Sequence, residues 1–233
     1  DLIYGLPHQT VETFSDTVDK ILTFNPDRLS IFNYAHMPER FKVQRQMRTE
    51  DIPNPEVKLA ILQSTIEKLT AAGYIYIGMD HFAKPDDELA IAQRENKLYR
   101  NFQGYSTHSE CDLIGMGVTS IGSVSNSYSQ NQRTIDDYAN SIENNELPTF
   151  RGVRLDEDDL IRRSVITKLI CHFSLDITEI EAEFSITFAD YFADVYPQID
   201  QFVEDGLLIY SKSNIEVLPA GHLLIRNICM AFD

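Results

Sequence analysis

The chain has 233 residues, 43% apolar and 24% charged, with 36 Asp plus Glu against 20 Lys plus Arg. This is a globular composition, and no stretch approaches the roughly 20 uninterrupted apolar residues that a spanning helix needs. A net charge of −16 repels phosphate backbones and anionic lipid, so neither nucleic acid nor a membrane is expected as a partner.

Residues 1–135 carry net −4, residues 136–205 net −12, and residues 206–233 are neutral, which suggests a boundary near 135–150. Cys111, Cys171 and Cys229 are odd in number and widely spaced, fitting neither a disulfide framework nor a zinc or iron–sulfur motif. Reduced thiols in a cytoplasmic protein are the simplest reading. The opening, Asp1-Leu-Ile-Tyr-Gly-Leu-Pro7, has no initiating Met and no signal segment, and it reads at once as a core strand. A fragment of a longer protein is expected.

Leu2-Ile-Tyr4 ends at Gly5, and Thr10 caps a helix with Phe14, Val18, Ile21 and Leu22 on one face. Asn25-Pro-Asp27 punctuates, and Arg28 to Tyr34 forms a second strand. After a long polar connection, Asn54 caps a helix with Pro55 at its first position and Leu59, Leu62, Ile66 and Leu69 as its stripe, which Gly73 ends. Tyr74 to Gly78 is a third strand, residues 86–98 a short helix, and Asp112 to Ile121 a fourth strand containing Gly115 and Gly117. Strands alternating with helices imply a parallel sheet with helical crossovers, whose ligands sit at the carboxyl ends of the strands. Beyond residue 135 the pattern changes to helices at 134–145, 156–172 and 188–204, a hairpin of 207–210 with 215–218, and a last helix from Pro219. This order looks like a winged-helix module, a DNA-binding pattern that the acidity argues against.

Polar residues at strand ends are the informative ones: Asn33, Tyr34, His36, Asp80, His81 and Gln103. His36 and His81 have no third ligand at recognisable spacing, so hydrogen-bonded structure is the better reading than a metal pair. The glycines at 115, 117 and 122 match neither a dinucleotide fingerprint nor a P-loop and suggest instead close approach of the backbone to another group, such as a flat ligand. Asp156-Glu-Asp-Asp159 suits a helix N-terminus with Arg162 and Arg163 as ion-pair partners.

These motifs in this order resemble the oxygen-independent coproporphyrinogen III oxidases, radical S-adenosylmethionine enzymes. The resemblance rests on residues 1–7, Asp27-Arg-Leu-Ser30, Phe32-Asn-Tyr-Ala-His36, Gly78 to Ala83, Pro85 to Ala90 and Arg100 to Tyr105. It continues through Gly115 to Val118, Tyr128-Ser-Gln-Asn131, Ala189 to Ala193 and Leu223 to Met230. The blocks at 78–90 and 100–105 look like the oxidase rather than its haem-chaperone relatives, which typically carry a Trp in a chain region where this one has none. A haem-binding chaperone and a non-enzymatic winged-helix interaction protein remain the alternative readings.

The resemblance implies an α/β fold: the C-terminal half of a partial (β/α)6 radical-SAM barrel over residues 1–148, plus a mostly helical, winged-helix-like C-terminal domain over 149–233. It implies oxidative decarboxylation of two propionates of coproporphyrinogen III to vinyl groups, through a 5′-deoxyadenosyl radical. S-adenosylmethionine and a 4Fe-4S cluster are the implied cofactors, the cluster's three-cysteine motif lying before the point where this chain begins. Carried over by motif, Asp1 and Ala35 would contact the S-adenosylmethionine that is cleaved, and Phe102, Gln103 and Ile121 would lie at a second S-adenosylmethionine site. Asp1 can accept hydrogen bonds from an amine or ribose, Phe102 can stack on adenine, and Ala35 and Ile121 offer backbone groups and small apolar contact. The implied partners are the porphyrinogen substrate and an electron donor for the full-length enzyme. Self-association of the truncated chain through an open sheet edge is also expected.

Overall fold

The computed structural model describes residues 1–109 and 111–233, which fall into two units, Asp1–Asn96 and Lys97–Asp233. In the first unit β1 (Leu2–Tyr4) leads to α1 (Val11–Phe24), which opens on a capping box between Thr10 and Thr13 and closes on Asn25 in the left-handed region, φ 50°. β2 (Arg28–Asn33) follows, then two short 3-10 turns at Lys42–Gln46 and Thr49–Asp51. α2 (Pro55–Ala71) is capped by Asn54, whose Oδ1 accepts from Val57 N at 2.9 Å. β3 (Ile75–Gly78), β4 (His81–Ala83) and α3 (Glu88–Arg94) complete the unit.

The sheet order is β1-β2-β4-β3. β1 and β2 are parallel with Leu2 opposite Ile31, as the helical crossover between them requires, but β4 is antiparallel to both β2 and β3. The all-parallel arrangement expected from the alternation is therefore corrected: the chain reverses at Met79, φ 53°, and returns as a three-residue strand between β2 and β3. His81-Phe-Ala83 is too short a run to announce itself by periodicity. Phe14 and Val18 of α1, and Ile61 and Leu69 of α2, cover Tyr4, Leu29, Ile31 and Phe82 of the sheet. Burial of each such side chain contributes roughly 1.5–3 kcal/mol. Lys68 fastens α2 to α1 through Ser15 Oγ at 2.6 Å and Asp19 at 2.7 Å. Alternation along the strands turns Ile3 and its neighbour in register Phe32 to the other face, where they are exposed.

The second unit begins with a hairpin of β5 (Tyr99–Asn101) and β6 (Gly104–Ser106), joined by Phe102 and Gln103. β7 (Ile121–Val124) and β8 (Ser127–Asn131) form another hairpin; α4 (Ile135–Glu143) then leads to β9 (Thr149–Arg154), which adds antiparallel to β8. The strand expected over 112–121 is absent. Only an isolated bridge joins Leu113 to Ser123, because Gly117 (φ 91°) and Thr119 (φ 61°) take the chain out of extended backbone. Gly115 has a local explanation: a β-carbon there would meet the Ile121 carbonyl carbon at 2.9 Å, so the close approach is to its own chain.

α5 (Glu157–His172), opened by the Asp156 capping box, precedes β10 (Ser174–Asp176), α6 (Ile177–Phe184), α7 (Phe188–Tyr191) and α8 (Tyr196–Glu204). The single helix expected over 188–204 is thus two, because Pro197 has no N–H and belongs in the first turn of a restarted helix. β11 (Leu208–Tyr210) and β12 (Asn214–Val217) form the expected hairpin, which β10 joins to give the order β10-β12-β11, and α9 (Pro219–His222) and α10 (Ile225–Met230) end the chain. Ile161, Val165 and Leu169 of α5 are buried, as are Phe188, Phe192 and Phe232, whose rings meet with centroids 4.7–6.3 Å apart. The charge step near 135–150 and the expected division at 148/149 fall inside this unit.

Candidate ligand-binding site

In the first unit Asp1 stands just before β1, at the end where the strand starts, while Ala35 lies two residues past β2, at the end where it finishes. With Leu2 opposite Ile31, five residues of strand rise separate the two positions, roughly 16 Å. The structure does not bring them to one end of the sheet. Ala35 is held in a tied loop: Gln44 Nε2 donates to the Ala35 carbonyl at 3.0 Å, Gln44 Oε1 accepts from Met37 N, and Tyr34 N donates to Tyr4 O at 2.8 Å. The strand-end histidines sit among aromatic rings, His36 against Tyr34 at 6.0 Å and His81 edge-on to Phe32 at 6.3 Å, with Asp80 Oδ1 3.9 Å from His81 Nδ1. Among the described residues no group of three or more His, Cys, Asp and Glu is arranged to hold a metal ion.

In the second unit Phe102 and Gln103 are the two turn residues of the β5–β6 hairpin. Asn101 Oδ1 accepts from Gln103 N at 2.8 Å, an Asx turn that fixes the tip. The Phe102 ring, half exposed, stands edge-on to Tyr128 with centroids 5.1 Å apart. Phe102 and Ile121, which the resemblance places at one ligand site with Gln103, are both walls of one cavity of about 300 Å³. β8 contributes Tyr128, Ser129 and Gln130 to it, and β9 contributes Arg151, Gly152 and Val153. Gln103 is not among those walls, although it shares the hairpin tip with Phe102.

Arg151, one of five basic residues among 17 acidic ones over 136–205, has no role in the sequence reading. Its Nε donates to Gln130 Oε1 at 2.9 Å, across the register that pairs the two residues. Tyr128, of the Tyr128-Ser-Gln-Asn131 motif, accepts at its hydroxyl from Arg163 Nη1 of α5 at 3.4 Å. Gly152 lets the two strands approach closely, since a β-carbon would lie 3.0 Å from the Tyr128 carbonyl oxygen, a contact tighter than most.

The cysteines do not suit an iron–sulfur cluster. Cys111 is exposed, whereas Cys171 and Cys229 are buried, and burial pushes both thiols up to about 12. A cluster needs thiolates converging on one point, which this trio does not supply.

Comparison with known proteins places these features. The family model described as "HemN C-terminal domain" matches residues 155–224. A solved structure described as "Coproporphyrinogen III oxidase (HemN) from Escherichia coli is a Radical SAM enzyme" superposes with a TM-score of 0.97 at 51% identity, covering 100% of this chain and 54% of that one. The fold is thus the α/β architecture of a radical SAM enzyme carried into its helical C-terminal domain, as the sequence implied.

Curated proteins named oxygen-independent coproporphyrinogen III oxidase match the chain over its whole length. The Pseudomonas aeruginosa relative is 53% identical with 51% of its own length covered, and the Thermostichus vulcanus relative is 46% identical with 72% covered. The chain belongs to the oxygen-independent coproporphyrinogen III oxidase family. It spans about half the length of most of the curated relatives it matches, 51% for those from Pseudomonas aeruginosa and Escherichia coli.

Proposed function

We propose that this chain is part of an enzyme that decarboxylates two propionates of coproporphyrinogen III, each yielding a vinyl group, CO2, a proton and two electrons. The observation that carries the reading is identity of 46–53% along the entire chain to proteins named for that activity. S-adenosylmethionine would supply the hydrogen-abstracting chemistry when bound, together with a 4Fe-4S cluster whose ligands are not Cys111, Cys171 and Cys229. In this chain Phe102 offers a ring face to adenine and Ile121 an apolar wall, with Gln103 beside them at the hairpin tip. Asp1 and Ala35 are proposed as contacts of the S-adenosylmethionine that is cleaved, through a carboxylate and backbone groups. The chain's own part in the reaction is to bind, orient and keep water from the reacting groups. No helix among the described residues is long and apolar enough to cross a membrane, and a cytoplasmic enzyme served by a separate electron donor is part of the same proposal.

The test is to join this chain to the N-terminal portion of the Escherichia coli relative, reconstitute iron and sulfide anaerobically, and follow conversion of coproporphyrinogen III to protoporphyrinogen IX. Turnover by the joined protein, with neither turnover nor stoichiometric iron in the chain alone, is the expected result. A joined protein that assembles its cluster and cleaves S-adenosylmethionine but leaves the porphyrinogen untouched would refute the substrate assignment.

A further inference from the structure

We propose that Arg163 of α5 is a positioning residue for Phe102, acting through the Tyr128 hydroxyl. α5 lies within the residues matched by the family model, so the helical C-terminal part of the chain would set the ring offered to S-adenosylmethionine. The proposal rests on the reading of Phe102, Gln103 and Ile121 as a site for that cofactor. It names a residue outside both the described cavity walls and the motifs that carry the resemblance.

Arg163 does not do what its place in the sequence suggests. It follows Asp156-Glu-Asp-Asp159 by one turn, and its neighbour Arg162 does bond Asp158 at 2.8 Å. Asp159, four residues before Arg163, is the acid that a helix would present to it, but its Oδ2 accepts from Asp156 N at 3.0 Å in the capping box. Arg163 forms no ion pair among the described residues. Half-buried, it donates instead from Nη1 to the Tyr128 hydroxyl at 3.4 Å. Tyr99 of β5 shares this polar cluster: burial raises its phenol, Tyr128 adds to the rise and Arg163 opposes it.

The β5–β6 hairpin is fastened at its base. The Tyr105 hydroxyl donates to the Ile170 carbonyl of α5 at 3.1 Å, and Arg100, opposite Tyr105 in register, lays its guanidinium 5.0 Å from the centre of that ring. At the tip Phe102 is 53% exposed, and among the described rings it meets Tyr128, edge-on with centroids 5.1 Å apart. An edge-on pair is directional, so the tilt of Tyr128 sets the tilt of Phe102. Tyr128 is held at both ends, by β8 through its backbone and by Arg163 through its hydroxyl. Ordering the Phe102 ring before a ligand arrives spares the binding step the entropy of fixing an exposed side chain.

Two measurements on the 233-residue chain separate the tether from the site. In the ligand-free chain, NMR of ring-labelled phenylalanine follows the Phe102 resonances, assigned by F102L, as the report on ring orientation. R163M keeps the stem and removes every donor, while Y128F keeps the ring and removes the acceptor. Both are expected to move those resonances alike, with no further change in the double variant, and R163K is expected to restore them in large part. In the second measurement, equilibrium dialysis of labelled S-adenosylmethionine is expected to show R163M binding about three- to tenfold more weakly, the scale of one hydrogen bond. R163K should recover part of that loss, and R163M should add nothing in an F102A background.

Phe102 resonances unmoved in R163M, additive losses in R163M and F102A, or no recovery in R163K would each overturn the positioning role. Tighter binding by R163M would also overturn it, because that would report only the removal of a positive charge near a sulfonium. A merely structural role would lower the melting temperature without this coupling to Phe102. The cofactor reading is judged separately: if F102A binds S-adenosylmethionine as well as the unmodified chain, or if that chain shows no saturable binding, the site assignment falls, and the tether stands or falls on the Phe102 resonances alone.

Discussion

Gly221 faces the carbonyl of Leu207 so closely that a β-carbon there would sit 2.1 Å from the oxygen and 2.7 Å from Val217 Cγ1. The same carbonyl accepts from Leu218 N at 2.8 Å, so it cannot swing aside without breaking the bond that ties the start of α9 back to the approach to β11. The requirement is for space and not for backbone freedom, because Gly221 is not among the residues with positive φ. Gly221→Ala is expected to cost at least about 1–3 kcal/mol through overpacking, and to lower Tm by roughly 2–4 °C per kcal/mol. An unchanged melting curve would mean that α9 can lift off the hairpin freely.

The three cysteines should separate cleanly by reactivity. Cys111 is exposed, while the Cys171 and Cys229 thiols are buried and pushed up to about 12, so neither forms thiolate near neutral pH. Iodoacetamide at pH 8 is expected to label Cys111 alone in the folded chain and all three in denaturant, counted by intact mass. A thiol whose pKa is raised on folding stabilises the fold fully below its unfolded value and loses that contribution as pH climbs toward the folded one. Stability should therefore fall between about pH 8.5 and about pH 12, and less steeply in a C171A/C229A variant. Parallel slopes for the two proteins would contradict the burial argument.

Asp158 illustrates the opposite sign. Arg162, and after it Tyr191, hydrogen-bond its carboxylate and hold it below the ordinary value, while the same contact pushes Tyr191 up to about 12. The stabilisation is present above the ordinary aspartate value of about 3.9 and disappears as pH falls through the lowered one. Carboxyl NMR titration is expected to show the Asp158 pKa rising in R162A and rising less in Y191F, in the order of the two causes. A larger shift in Y191F would reverse their ranking.

Where local chemistry decides, the sequence was readable. Thr10, Asn54 and Asp156 do cap helices, Pro55 does open one, and the hairpin near 207–218 does form. Failures came where tertiary geometry overrides pattern: the reversal at Met79 that inserts β4, the break before Pro197, and the loop at 115–119 whose apolar residues imitate a strand. In the candidate site, Phe102 and Ile121 were accessible through motif resemblance, because those motifs follow chemistry. Arg151 was not, since what distinguishes it is its place on the cavity wall and its bond to Gln130 across the register, and a one-dimensional charge count in an acidic segment points the other way.

β1 lies at the edge of its sheet, with β2 as its neighbour among the described strands, and its Ile3 and the facing Phe32 are 46% and 37% exposed. An edge strand leaves alternate backbone donors and acceptors unpaired, and an apolar side chain beside them makes pairing with a second copy favourable. The isolated chain is therefore expected to self-associate as concentration rises, observed as increasing weight-average mass in light scattering. Ile3→Lys should suppress this, because a lysine on the exposed face adds like-charge repulsion between copies without entering the core formed by Tyr4, Leu29 and Ile31. Asp1 beside it is less suitable for substitution, since it is a proposed ligand contact. If the unmodified chain stays monomeric at high concentration, the edge is protected by something other than pairing; if I3K associates as strongly as the unmodified chain, the contact lies elsewhere on the surface.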